Sequence, residues 1–261
     1  MPRFLGRKPR PHDAVSPAFH MMLGANPLPM PSAAIDWTHA VSSWPMLGND
    51  VCGDCTIAAA LHAVQLWTAN AGTEIVPDTA CALSGYAAAT GYNPKTGTND
   101  NGAVENDILL YWMHTGLPVA SIGALDQLDG FAAIEPDNLV DVKRAIAAFG
   151  VCYAGVELPI EAEEEFDAGK PWANTTGRPG TWGGHGIPLV AYDAEGLICV
   201  TWGKLQRLTW QWWQAYGVES YALLRREWIG RAGTSPSGLT MEEFDARLLR
   251  MRGILGLGAD A

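Results

Sequence analysis

Long apolar runs, internal repeats, an even complement of cysteines and net positive charge are all missing from this chain, and each absence closes off a class of protein. No segment approaches the roughly 18 apolar residues a membrane helix needs. The best candidate, residues 57–67, is short and interrupted by His62 and Gln65. The first thirty residues contain no uninterrupted apolar stretch of the kind that forms a secretory signal. The expectation is therefore a cytoplasmic protein that does not span a membrane. Five cysteines in 261 residues are too few and too odd in number for a disulfide scaffold. No second CxxC and no HxxxH accompanies Cys52 and Cys55, so a four-ligand zinc site is not expected, and no cofactor motif stands in its place.

Charge is scarce and uneven. Arg3, Arg7, Lys8 and Arg10 give the first twelve residues +4 against a total of −11, so the remainder carries −15. That acidity argues against nucleic acid as a partner of the body. The basic arm is separate, and reads either as a solvated tail or as a segment that meets an acidic surface, RNA or DNA. With 48% hydrophobic residues the chain can bury a large core, as one broad domain or two lobes sharing a cleft.

Four parts follow from the pattern. Residues 1–35 are Pro-rich ("NPLPMPSAA") and form an extended basic arm, since proline lacks the N–H that a helix requires. Residues 36–130 read as helical. "TIAAALHAVQLWTANAG" is built of good helix formers and stops at Gly72, and "AVENDILLYWMHTG" stops at Gly116. Residues 131–228 open with one helix ("DNLVDVKRAIAAFG") and continue in β-type segments, "VCYAGVEL", "GIPLVAYD", "LICVTWG" and "ESYALLRREW". Helices first and strands second indicate an α+β fold with segregated lobes. The tail, 229–261, begins a helix with Thr240 and Glu243 spaced as a capping box. Its apolar stripe of Phe244, Leu248, Met251 and Leu255 suits docking on the body or on a protein partner.

The chemistry concentrates at "NDVCGDCTIAAALHA", residues 49–63. A CxxC can be a metal clip, a redox pair, a crosslink or the seat of a nucleophile. A thioredoxin-type redox motif follows the strand of a βαβ unit, whereas here the approach is the Trp/Pro loop "SSWPMLGND". Cys81, Cys152 and Cys199 suit the role of buried structural thiols. Cys55 stands at the first turn of a helix, where free N–H groups and the macrodipole favour a thiolate. A nucleophile wants a base, and His185 in "TWGGHGIPLVAYD" opens a β-segment 130 residues later, flanked by glycines that admit a substrate backbone. His12 and His20 lie in the arm, and His62 and His114 lie in or at the end of helices, where ordinary hydrogen bonding accounts for them.

These segments resemble the papain-like cysteine peptidases. "IDWTHA" is similar to the start of the mature family enzymes, and "NDVCGDCT" to their Gln-x-x-Cys-Gly-Ser-Cys-Trp motif. "NDNGAVENDILLYW" resembles their Asn-Gly-Gly segment, "GGHGIPLVAYD" their histidine strand, and "VTWG" their Asn-Ser-Trp-Gly motif. The resemblance implies a two-lobed fold, a helical lobe and a β-barrel-like lobe with the active-site cleft between them. It implies Cys55 as nucleophile, His185 as base, Asn49 at the oxyanion, and Thr201 and Trp202 as orienting or shielding groups. Asn101, Gly102, Trp182 and Gly184 would line the substrate cleft. Its substrate would be a peptide or protein.

The departures bear on activity. Val200 takes the place of the asparagine that orients the imidazole, and valine accepts no hydrogen bond. Thr201 is the substitute, although neighbours on a strand point to opposite faces. Asn49 is one methylene shorter than the family's glutamine. Asp54 opposes a thiolate at Cys55 unless its carboxylate caps the helix. Asp100 replaces the cysteine that family members pair with the first motif cysteine, leaving Cys52 a free thiol. Two functions are carried forward: a cysteine peptidase or related amide hydrolase working with a Cys-His dyad, and a papain fold kept as a binding or structural module, for instance in a bacterial or phage assembly in the virion or host cytoplasm.

Overall fold

The structure, a computed structural model, describes residues 2–24, 28–119, 125–230 and 233–254. The arm contributes a two-residue strand β1 (Arg7–Lys8), a short helix α1 (Phe19–Leu23) and β2 (Ile35–Asp36). The helical part holds α2 (Cys55–Asn70), α3 (Thr79–Thr90), β3 (Ala103–Val104) and α4 (Glu105–His114). A small pair, β4 (Leu117–Pro118) and β5 (Leu125–Asp126), leads to β6 (Gly130–Ile134), α5 (Leu139–Phe149), β7 (Cys152–Leu158) and α6 (Ile160–Asp167). Then come β8 (Gly183–Tyr192), β9 (Gly196–Thr201), β10 (Lys204–Thr209), α7 (Trp210–Tyr216), β11 (Gly217–Leu224) and α8 (Met241–Ile254).

The sheet is antiparallel in the order β10-β9-β8-β7-β11-β6, with β2 added on β8. Among the described residues it is open at β10 and β6, so the β-lobe is barrel-like only loosely. α2 packs against β8 and is buried from Cys55 through Thr68. A helix hydrophobic on every side belongs inside a fold, and the run of Ala58, Ala59, Ala60 and Ala63 lets the sheet approach closely. This burial fixes where Cys55 sits.

Helix ends agree with their local chemistry. Gly72 and Gly116 adopt positive φ just beyond α2 and α4. Asn138 caps α5 by accepting the Asp141 N–H, and Gly150 ends it in the left-handed conformation. Thr240 and Glu243 form the reciprocal capping box of α8. Phe244, Leu248 and Met251 are buried in the same core as Phe19, Met22 and Leu23 of α1. The tail's apolar stripe is therefore consumed within the chain and is not free for a partner; Leu255 lies outside the described residues. Proline does not keep the whole arm extended, since the apolar "FHMML" between Pro17 and the later prolines forms α1.

Elements absent from the sequence reading include α1, α6, β6, β10 and α7. β10 alternates exposed Leu205 with buried Gln206 and Leu208, a polar edge strand whose pattern is weak. No helix among the described residues is long and apolar enough to cross a membrane.

The five cysteines are free and buried. Where the family resemblance removes a disulfide, Asp100 supplies a tie: its carboxylate accepts the Gly53 N–H at 3.1 Å and the Tyr86 hydroxyl at 2.8 Å. Asp100→Ala leaves a backbone N–H unsatisfied and is expected to cost about 1–3 kcal/mol, read as a lowered urea midpoint at unchanged slope. An unchanged midpoint would contradict the tie.

Candidate active site

Cys55 is the first residue of α2 and is 1% exposed. Its sulfur accepts the Gly186 N–H at 3.4 Å, so the backbone one residue past His185 touches it. His185 is equally buried, and Cys55 and His185 line one cavity of about 10 Å³ together with Asn49, Val200, Thr201 and Trp202. The two lobes thus bring together the cysteine and the histidine singled out in the sequence.

The imidazole is held on two sides. Its Nε2 lies 2.7 Å from Thr201 Oγ1, and its plane stacks on the Trp202 indole at 4.3 Å and 13°. Nδ1 is buried with no hydrogen-bond partner among the described residues. Thr201 therefore reaches the ring while Val200 packs against the helical core. The hairpin explains how. Thr201 pairs with Lys204, and the two residues between them, Trp202 and Gly203, have φ of +43° and +71°, the left-handed pair that tight hairpins require. A tryptophan in this conformation is strained, and the turn sets its ring over the imidazole.

The N-terminal arm runs through this site. Phe4 N–H donates to Asn49 O at 3.0 Å, and the Asn49 side-chain amide donates to Phe4 O at 3.1 Å and Cys52 O at 3.2 Å. Gly6 is pinched between two loops: a Cβ there would lie 1.8 Å from Gly53 O, and its own carbonyl accepts the Ala103 N–H at 2.7 Å. β1 then pairs in parallel with β3. The backbone amide of Gly6, after that of Gly186, acts to lower the Cys55 thiol. The arm accordingly brings a backbone amide to the sulfur. At the other side, the Arg3 guanidinium lies over the rings of Phe166, Trp182 and Trp202 at 5.0–5.7 Å and pairs with Asp167 and Glu163.

Of the expected cleft residues, Gly102 and Gly184 face the arm, each with backbone of Gly6 or Arg7 in the space of its absent side chain. Trp182 is half-buried under Arg3, and Asn101 is exposed.

Burial governs the titration of the site. It pushes the Cys55 thiol up to about 12, against smaller opposing help from the Gly186 and Gly6 amides. It pulls His185 down to about 3. The thiolate favoured by the helix N-terminus is thus overridden while the arm is seated, and the pair rests as thiol and neutral imidazole. Asp54 precedes α2 at the capping position, yet its side chain makes no cap bond. Fully buried, it is raised well above the carboxylate range, chiefly by desolvation, and its charge is a smaller influence, after burial, that raises the Cys55 thiol. No cluster of three or more metal-ligating side chains occurs among the described residues.

Several site residues were not foreseen: Gly6 and Arg7 of the arm, Gly186, and three glutamates, Glu105, Glu157 and Glu219. The glutamates carry a readable signal, because each directly follows an apolar residue at the edge of an apolar segment.

No protein-family model matches the chain, and no curated protein matches its sequence. Solved structures do. Xylellain, a cysteine protease from Xylella fastidiosa, is 14% identical with a TM-score of 0.58, over 85% of this chain and 96% of that one. The cysteine protease and lectin-like domains of Cwp84 from Clostridium difficile are 12% identical with a TM-score of 0.59, over 85% and 55%. The Carica candamarcensis cysteine protease CMS1MS2 is 16% identical with a TM-score of 0.51, over 74% and 98%.

His62 gives a pH test of the core beneath the site. Its Nε2–H donates to Pro45 O at 2.9 Å, and burial lowers it from 6.5 to about 4. The unfolded chain binds this proton more readily, so the contribution is complete above pH 6.5 and lost as pH falls toward 4. The stability of the wild type minus that of His62→Gln is expected to be flat above pH 6.5 and to fall by up to roughly 3 kcal/mol on the acid side. A difference independent of pH would contradict this. The architecture enclosing these groups is that of the papain-like cysteine proteases.

Proposed function

We propose that the chain is a thiol amide hydrolase, a cysteine peptidase working with a Cys-His pair and kept closed by its own N-terminal arm. The observation that carries the reading is the division of labour on His185: Nε2 engaged by Thr201, Nδ1 left without a partner, and Cys55 on the same cavity. With Nε2–H donating to Thr201, Nδ1 is the basic nitrogen. It takes the Cys55 proton as sulfur attacks a peptide carbonyl, and returns it to the departing amine as the C–N bond breaks. Water, deprotonated by the same nitrogen, then splits the thioester. The Asn49 amide, which now binds the Phe4 carbonyl, binds the oxyanion together with the Cys55 N–H. Threonine orients the ring with one hydroxyl where the resemblance leads to an asparagine, which a dyad built on an intrinsically nucleophilic thiol tolerates. The solved cysteine proteases of the same fold, one of them in complex with E-64, are consistent with a peptide or protein substrate.

Gly6→Ala opens the site for assay without touching the machinery, because the added Cβ collides with Gly53 O. On this background, hydrolysis of a mixed peptide library should appear, and Cys55→Ser or His185→Ala should abolish it. Asn49→Ala should lower turnover by about 10²–10³-fold, and Thr201→Val by roughly tenfold or more. If the opened chain is inert toward the library and Cys55→Ser changes nothing, the protein is instead a papain fold retained for binding or structure.

A further inference from the structure

Arg7 enters the protein interior one residue beyond the contact with Cys55. Its side chain is 3% exposed and meets three carboxylates. Nη1 donates to Glu157 Oε1 at 2.7 Å; Nε donates to Glu219 Oε1 at 2.9 Å, with Nη2 at 2.8 Å from the same oxygen. Glu105 Oε2 stands 3.9 Å from Nε. Glu105 is wholly buried, and among the described residues neither of its oxygens meets a partner at ordinary hydrogen-bond geometry. Glu219 is further fixed by the Tyr221 hydroxyl at 2.9 Å.

The backbone clears room for this side chain. A Cβ on Gly155 would lie 2.2 Å from Arg7 Nε, and one on Gly186 would lie 3.1 Å from Glu105 Oε1. The second glycine joins the pocket to the nucleophile, since its N–H is the one that Cys55 accepts. The carboxylates come from three separate elements, α4, β7 and β11, so they are fixed by the body and stay in place when the arm leaves. Two rigid acceptors around a planar fork suit a guanidinium better than an ammonium, which cannot place parallel N–H groups.

We propose that Glu105, Glu157 and Glu219 form an arginine-binding pocket of the cleft, and that the chain acts on peptides carrying an arginine next to, or one residue removed from, the bond cut. Arg7 occupies that pocket as an internal stand-in. This rests on the hydrolase reading for its substrate role, but the pocket itself is testable by binding alone.

The test uses the 261-residue chain carrying Arg7→Ala, and a fluorescent synthetic peptide with the sequence of residues 3–9 beside its norleucine and lysine versions at the position of Arg7. Fluorescence anisotropy should give at least a tenfold lower Kd for the arginine peptide than for the norleucine one, with lysine between them. Adding Glu157→Gln should shrink that preference to about twofold. Equal affinities in Arg7→Ala would overturn the pocket. If Arg7→Ala does not fold, by far-UV circular dichroism, Arg7→Lys is put through the same comparison with the same criterion. Cleavage-site mapping on the mixed library separates the two claims. Arginine-selective binding without cleavage would remove the hydrolase and keep the pocket, whereas cleavage indifferent to arginine would remove the pocket's substrate role and keep the hydrolase.

Discussion

The ion cluster at Arg7 is the contact on which the closed form of this protein depends. A single guanidinium taken out of water joins the arm to α4, β7 and β11, by way of Glu105, Glu157 and Glu219. Burial alone would lower the arginine pKa, but the three carboxylates more than offset it. Glu105 responds in the other direction. Burial, and then the charge of Glu219, raise it well above the carboxylate range despite Arg7. Such a cluster contributes little net stability, because desolvation offsets most of the attraction. Taking away one partner is different, and typically costs about 3–5 kcal/mol by leaving buried charge uncompensated. The arm is therefore held by a contact that is costly to break piecemeal.

The chemistry of Cys55 follows from that closure. Its place at the start of a sixteen-residue helix offers a partial positive charge worth about 1 kcal/mol or somewhat more, whereas full desolvation of a thiolate is worth several pKa units. Burial prevails while Gly6 lies across the site, giving a thiol near 12 and an imidazole near 3. The Gly6 carbonyl of the arm is turned toward Ala103, whose N–H it accepts at 2.7 Å.

Much of this was legible in the chain itself, and the reasons for what was not are physical. Cys55 at a helix start, His185 at a strand start and the capping box of α8 are local patterns, set by residues a few positions apart. Thr201 was harder, since strand alternation alone assigns it and Val200 to opposite faces. It took the hairpin pair Trp202 and Gly203, with positive φ, to bring the hydroxyl and the indole onto one imidazole. The destination of the arm is a long-range fact: "RFLGRKPR" reads equally well as a solvated tail. Its counterpart was nevertheless present as the glutamates beside apolar residues in "AVENDILLYW", "YAGVELP" and "VESYALL", since a buried acid needs a partner. Pairing that signal with the basic arm would have located the closed cleft.

The central claim, that the seated arm and not the intrinsic chemistry of the helix terminus sets the state of Cys55, is tested most directly by alkylation kinetics. Iodoacetamide labelling at pH 7, mapped by peptide mass spectrometry, should leave Cys55 of the unaltered chain essentially unmodified and raise its rate by about 10²-fold or more in Gly6→Ala, while Cys152 and Cys199 stay protected in both. Equal Cys55 rates in the two proteins, whether both fast or both slow, would contradict the account.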